Sequence, residues 1–187
     1  MNIAVYCSSR SNLDRCFIDA AGTLGEWIGK NGNNLVYGGS NAGTMHTLAQ
    51  AAHDAGAHIT GVVPQCFAHR ADPLVDTLIP AKDLAERKDI MIGLADTFVV
   101  LPGGIGTIDE WISTLTHLVV AGDTSTRIIV VNIRGIFDNM IAQLNTTAAS
   151  PFSRGGTPIQ GHCIIVDCAE DMINQLNKIT HNHDNEK

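Results

Sequence analysis

The stretch "LPGGIGTIDE", residues 101–110, places three glycines and a proline directly after the apolar run "TFVV". Glycine allows backbone conformations and close approaches that a Cβ forbids, and Pro102 ends strand pairing. A helix that opens at Gly106 and Thr107 would leave free backbone N–H groups with partial positive charge at its N-terminus. The stretch therefore predicts a phosphate site to which the Thr107 hydroxyl can contribute, or else only a tight structural turn.

Two carboxylates, Asp109 and Glu110, follow in the first turn of that helix. The helix dipole favours negative side chains there for structural reasons alone, so one of them could be only a cap. Two further turns, at 7–10 ("CSSR") and 36–45 ("VYGGSNAGTM"), also follow apolar runs. Together the turns indicate a nucleotide-sized crevice. Residues expected along one side of it are Gly38, Gly39, Ser40 and Gly43.

The segment "LAERKDIM", residues 84–91, has the pattern of a helix that carries Glu86, Arg87 and Lys88 among apolar neighbours. Taken alone, it is typical of a solvated helix face. Arginine remains charged at physiological pH and presents a planar fork, so Arg87 can also clamp an anion and keep a nearby carboxylate ionised.

Apolar runs that would form strands alternate with segments of helical spacing along the whole chain. The runs are continuous rather than alternating, which is typical of parallel strands covered on both faces. We therefore expect a single-domain, Rossmann-like, doubly wound α/β fold with its ligand crevice at the carboxyl ends of the strands. Strands are predicted at 2–7, 34–39, 58–63, 97–104, 127–132 and 163–168, and helices at about 13–28, 45–55, 82–94, 106–120, 137–145 and 169–179.

Length and composition restrict the classes of function. A chain of 187 residues predicts one domain, at 1–180, with a flexible tail at 181–187. The formal net charge of −7 argues against a nucleic-acid surface, which needs clustered Lys and Arg. Five cysteines without paired spacing, no signal-peptide pattern and no apolar stretch of about 20 residues predict a cytoplasmic protein outside membranes.

The pair of motifs "ERK" (86–88) and "PGGIGTIDE" (102–110) resembles the RK and PGGxGTxxE signatures of the LONELY GUY family. These proteins are cytokinin riboside 5′-monophosphate phosphoribohydrolases, many once mislabelled lysine decarboxylases. The resemblance extends from about residue 3 to residue 144. It implies a homodimer that needs no cofactor or metal and splits an adenosine-type 5′-monophosphate into free base and ribose 5-phosphate.

The resemblance assigns Arg87 and Glu110 as catalytic residues. Glycosidic cleavage builds positive charge on the ribose, which a carboxylate such as Glu110 can stabilise while it orients a water. Asp109 and solvent remain open as the group that protonates the departing base. Residues expected to bind substrate, from the resemblance and the three turns together, are Ser8, Gly39, Ser40, Lys88, Gly103, Gly104, Ile105, Gly106, Thr107, Asp109 and Thr116.

Several positions depart from the family pattern. Ser40 and His46 replace glycines, and Ala71 stands where the family often has a glutamate after an arginine. The base preference therefore stays open, and His46 could either close the crevice or cap its wall. A nucleotide-binding carrier without turnover, similar to molybdenum-cofactor carriers, is the main alternative. Decarboxylation with pyridoxal phosphate would need a Schiff-base lysine, for which Lys88 is poorly suited.

Overall fold

A single seven-stranded parallel sheet forms the centre of the protein, with strand order β4-β3-β2-β1-β5-β6-β7. The computed structural model describes residues 1–150 and 161–185. Every neighbouring strand pair in this sheet is parallel, as the continuous apolar runs predict. The strands are β1 Asn2–Tyr6, β2 Asn34–Tyr37, β3 Ile59–Pro64, β4 Thr77–Ala81, β5 Thr97–Val100, β6 Ile128–Val131 and β7 Cys163–Val166.

Helices cover both faces of the sheet. One apolar layer packs α1, α2 and α6 against one face, and a second layer packs α3, α4 and α5 against the other. Alternate side chains of β1 enter opposite layers, Ile3 and Val5 on one side and Ala4 and Tyr6 on the other. The helices are α1 Arg15–Lys30, α2 Gly43–Asp54, α3 Leu84–Leu94, α4 Ile105–Ala121, α5 Asp138–Ala148 and α6 Ala169–Asn185, with 3₁₀ helices at Gln65–Arg70 and Ile133–Gly135.

The strand order reverses beside β1, which pairs with β2 on one side and with β5 on the other. Such a switch point opens a crevice at the carboxyl ends of the strands, because the flanking connections leave on opposite faces. The three turns singled out in the sequence, after β1, β2 and β5, all lie at this crevice. The predicted doubly wound α/β fold is thus confirmed.

The largest differences from the sequence prediction are in β4, β5 and α6. Strand β4 and the preceding 3₁₀ helix are absent from that prediction: β4 is an edge strand with Pro80 and a mostly exposed pattern, so it lacks the signature of a buried strand. Strand β5 ends at Val100 rather than at 104, before Pro102 removes a donor. Helix α6 continues to Asn185, so residues 181–185 of the predicted tail are helical, and residues 186–187 lie outside the described part.

Among the helices within residues 1–150 and 161–185, none combines the length and the apolar character that crossing a membrane requires.

Candidate active site

The turn after β5 and the N-terminus of α4 form one wall of a cavity of about 300 Å³, which we call the Glu110 cavity. The turn after β1, Met45 from α2 and Arg87 from α3 complete it. Its size is at the lower end of the range for small-molecule sites. The lining residues are Cys7, Ser8, Ser9, Arg10, Met45, Arg87, Gly104, Ile105, Gly106, Thr107 and Glu110.

The glycines of the turn after β5 have two different roles. A Cβ on Gly103 would lie 2.1 Å from Thr107 Oγ1, so this position must be glycine for α4 to start where it does. Gly104 and Gly106 face open space, since a Cβ added at either position would have no atom within 4 Å. The Thr107 hydroxyl donates to the carbonyl of Cys7 at 3.1 Å, which ties α4 to the end of β1. The free N–H groups of the helix N-terminus therefore face the cavity without steric cover.

Arg87 from α3 and Glu110 from α4 meet in this cavity as a direct ion pair between Nη2 and Oε1. Their side chains are only 13% and 5% exposed. Gly38 makes the contact sterically feasible, because a Cβ there would lie 2.3 Å from Arg87 Nη2. The two residues predicted to be catalytic are thus neighbours, and they lie beside the predicted phosphate site at the start of α4.

The environment of Glu110 raises the pKa of its carboxyl toward neutral pH. Burial raises the pKa of Glu110 from 4.5 to about 7, and Asp109 adds to the rise, although the Arg87 guanidinium acts in the opposite direction. The backbone of Glu110 is held from behind, since the buried Thr114 hydroxyl donates to its carbonyl at 2.9 Å. The Tyr6 hydroxyl lies 2.8 Å from that same Thr114 oxygen. Burial therefore makes the ionised form of this carboxyl less stable than that of a solvated glutamate.

A second cavity of about 130 Å³, which we call the Phe67 cavity, adjoins the first. The two cavities share Ser9, Met45 and Arg87. The Arg70 guanidinium lies over the Phe67 ring at 5.8 Å. This aromatic and aliphatic wall can accept a flat heterocycle. The remaining lining residues are Gly38, Gly39, Ser40, Val63 and Pro64.

The departures from the family pattern lie together at the edge of the Phe67 cavity. Ser40 forms an isolated antiparallel bridge with Ala71. His46 Nδ1 is 2.7 Å from the buried Asp72 carboxylate, and the Asp72 amide donates to the carbonyl of Gly39 at 2.8 Å. His46 therefore joins α2 to the segment after the 3₁₀ helix, and Asp72 joins that segment to the glycine turn.

Four of the predicted binding residues lie outside the linings of both cavities: Lys88, Gly103, Asp109 and Thr116. Lys88 Nζ is 2.7 and 2.8 Å from the two carboxylate oxygens of Asp109. Lys88 and Thr116 line a separate open groove between α3 and α4, together with Ile92, His117 and other residues. The structure thus brings Ser8, Ile105 and the open glycines 104 and 106 together with the Arg87–Glu110 pair, but it does not bring Lys88, Asp109 or Thr116 to that pair.

Eight lining residues are given no individual site role by the sequence prediction: Cys7, Ser9, Arg10, Met45, Val63, Pro64, Phe67 and Arg70. The turn "CSSR" predicts a wall, yet only Ser8 is assigned a role in it from the sequence. Phe67 lies in the 3₁₀ helix that no periodicity reveals. Within residues 1–150 and 161–181, no cluster of three or more His, Cys, Asp or Glu side chains is arranged to hold a metal ion.

A parallel sheet with glycine turns and an open helix N-terminus at its switch point defines a Rossmann-like, doubly wound α/β protein. A family model described as "Possible lysine decarboxylase" matches residues 45–176. The chain therefore belongs to this family, and the LONELY GUY resemblance is confirmed.

Relatives of known name agree with one another. A protein of Mycobacterium tuberculosis is 37% identical over 145 residues, which is 76% of each chain. One of Mycobacterium marinum is 31% identical over 173 residues, 91% of this chain and 90% of that protein. One of rice, Oryza sativa, is 32% identical over 80% of this chain, which spans 62% of the rice protein. All three are named cytokinin riboside 5′-monophosphate phosphoribohydrolases.

Solved structures support the fold. The molybdenum cofactor binding protein of Rippkaea orientalis superposes with a TM-score of 0.73 at 22% identity, over 96% of each chain. The molybdenum cofactor carrier protein of Chlamydomonas reinhardtii does so with a TM-score of 0.74 at 19% identity, over 96% of this chain and 98% of that one. At such identities the likeness concerns the fold and not the ligand.

Proposed function

We propose that this protein hydrolyses the N-glycosidic bond of an adenosine-type nucleoside 5′-monophosphate and releases free base and ribose 5-phosphate. The observation that carries the proposal is the buried Arg87–Glu110 pair in the cavity beside the N-terminus of α4. The names of the relatives in Mycobacterium and rice support the same reaction.

The substrate fits the crevice in one orientation. Its phosphate meets the free N–H groups at the start of α4, where the helix dipole attracts negative charge. Its ribose then lies over Glu110, and its base enters the Phe67 cavity past Met45, which lines both cavities. This layout uses the switch-point crevice along its length.

Glu110 and Arg87 have complementary roles in the reaction. The ionised Glu110 stabilises positive charge on the ribose and takes a proton from the attacking water, whose oxygen bonds to C1′ as the bond to the base nitrogen breaks. The bonding electrons leave with the base, which takes up a proton. Arg87 favours ionised Glu110, and because its side chain lines the cavity its guanidinium can donate to a ribose oxygen.

Solvent is the proton donor to the departing base in this proposal. Asp109 was the alternative, but its carboxylate is held by Lys88 outside both cavities. A donor must come within hydrogen-bond reach of the group that it protonates. The same contact argues against Lys88 as a Schiff-base lysine, because its amine is engaged by a carboxylate away from the crevice.

The test is incubation of the purified protein with AMP and with its isopentenyl derivative, followed by chromatography of the free base. We expect release from at least one of them, and the ratio of the two rates measures the base preference. No release from either by folded protein would contradict the hydrolase. A carrier without turnover would instead bind nucleotide equally well in the wild type and in Glu110→Ala, with no product from either.

Homodimerisation and a cytoplasmic location form part of the same proposal. Val119 and Val120 are exposed apolar side chains on α4, and Val120 lines the α3–α4 groove, so a second copy of the chain would cover them. The described cysteines are free, as suits a reducing compartment. Sedimentation equilibrium measures the mass directly, and a monomer at micromolar concentration would argue against the dimer.

A further inference from the structure

The cationic side chains around the Glu110 cavity differ in whether they are already neutralised. Arg87 is paired with Glu110, and Lys88 is paired with Asp109. Arg10 also lines the cavity, and in the described part of the chain its guanidinium makes no hydrogen bond or ion pair. Its positive charge is therefore available to a ligand.

The backbone of Arg10 is held firmly at the cavity rim. Its amide donates to Ser8 Oγ at 3.0 Å. The Thr44 hydroxyl accepts from the Ser8 amide at 3.1 Å and donates to the Ser8 carbonyl at 3.0 Å. A Cβ on Gly43, whose φ is +61°, would lie 2.5 Å from the carbonyl oxygen of Arg10. The turn after β1 is thus packed against the start of α2, and the guanidinium is attached to a fixed point.

The proposed substrate brings more negative charge than the helix end can balance. A phosphate monoester carries about −1.5 to −2 charges at neutral pH, whereas a helix N-terminus supplies roughly +0.5. The Arg87–Glu110 pair adds no net charge. The whole chain carries a formal charge of −7, which adds a further reason for a local cation.

We propose that Arg10 binds the 5′-phosphate and thereby selects nucleoside monophosphates over uncharged nucleosides. This inference rests on the proposed function, because it assigns the residue that binds the phosphate of the proposed substrate. The planar guanidinium can donate two parallel hydrogen bonds to phosphate oxygens, in addition to those from the α4 N-terminus. Arg87 is left to act on the ribose and on Glu110.

The test compares Arg10→Gln with Arg10→Lys, which keeps the positive charge but loses the planar pair of hydrogen-bond donors. The control variant is Arg15→Gln. Arg15 is 87% exposed and pairs with Asp19 on α1, so its loss changes the net charge equally without affecting the crevice. Calorimetry with ribose 5-phosphate measures affinity without turnover. We expect roughly 10- to 100-fold weaker binding for Arg10→Gln, a smaller loss for Arg10→Lys and no change for Arg15→Gln.

Kinetics with AMP supply a second readout. Arg10→Gln should raise KM by a similar factor and leave kcat nearly unchanged, because the phosphate contact is the same in the ground and transition states. Unchanged affinity for ribose 5-phosphate in Arg10→Gln, or a fall in kcat at constant KM, would overturn the assignment. If Arg10 governs binding of ribose 5-phosphate but no base is ever released, the proposed reaction fails and the phosphate site stands. If the wild type releases base but does not bind ribose 5-phosphate, the Arg10 assignment fails and the proposed reaction stands.

Discussion

Two ion pairs join the same two helices. Their residues are neighbours in the sequence, but the pairs differ in burial and in their distance from the crevice. Arg87 and Lys88 are adjacent on α3, and Glu110 and Asp109 are adjacent on α4. The Arg87–Glu110 pair is buried beside the crevice, whereas Asp109 in the other pair is 53% exposed. In the proposed reaction only the buried pair acts on the substrate, whereas the other pair links the two helices.

The physical cause of the difference is solvation. In water an ion pair is screened, and exposed pairs contribute little to stability. In the crevice the ionised carboxylate loses hydration, so burial raises the pKa of Glu110 to about 7, with Arg87 opposing that rise. A carboxyl of this kind can exchange protons at neutral pH, which suits it to activate a water.

The largest expected effect is on kcat, which should fall when Glu110 is changed but not when Asp109 is changed. Glu110→Gln removes the charge that stabilises the ribose cation, so kcat for hydrolysis of AMP should fall by about 10³-fold. Asp109→Asn is the matched control on the neighbouring position and should stay within about threefold of the wild type. Equal losses in the two variants, measured by release of free base, would remove the distinction between the pairs.

The next effect is on the free energy of unfolding, which should depend more on Arg87 than on Lys88. Arg87→Gln leaves a buried carboxylate without its partner and should lower the free energy of unfolding by about 3 kcal/mol at pH 8. Lys88→Gln breaks the half-exposed pair and should cost less than about 1 kcal/mol. Urea denaturation followed by circular dichroism measures both, and a larger loss for Lys88→Gln would reverse the comparison.

The smallest effect is a shift in pH dependence. Ionised Glu110 is the active form, so kcat/KM should rise with pH and reach half of its plateau near the pKa of about 7. Arg87 lowers this pKa and Asp109 raises it. The midpoint should therefore move to higher pH in Arg87→Gln and to lower pH in Asp109→Asn. A midpoint that stays in place in both variants would show that another group controls the profile.

Much of the fold could be predicted because its signals are local. Continuous apolar runs mark the strands that are covered on both faces, and glycines mark their ends. Strand β4 escaped prediction because an exposed edge strand has no such run. The position of Phe67 in the Phe67 cavity was not predicted either, because the short 3₁₀ helix that carries it has too few residues to show a period.

The candidate site could be predicted in part, and its limits have a physical reason. The sequence assigns Arg87 and Glu110 together, and the structure places them in contact. It also assigns Lys88, Asp109 and Thr116 beside them, yet these three lie away from the cavities. Successive residues on a helix point about 100° apart, so a motif names neighbours without telling which of them faces the ligand.

The amino-acid sequence by itself determined that glycine turns end parallel strands and that a helix with an open N-terminus follows, because backbone freedom and hydrogen-bond capacity are properties of each residue. Only the tertiary structure decided which carboxylate is buried and, among the described residues, which arginine is neutralised and which has no partner. Those outcomes depend on how α3, α4 and the turn after β1 pack together, since desolvation and charge pairing arise between segments distant in the chain.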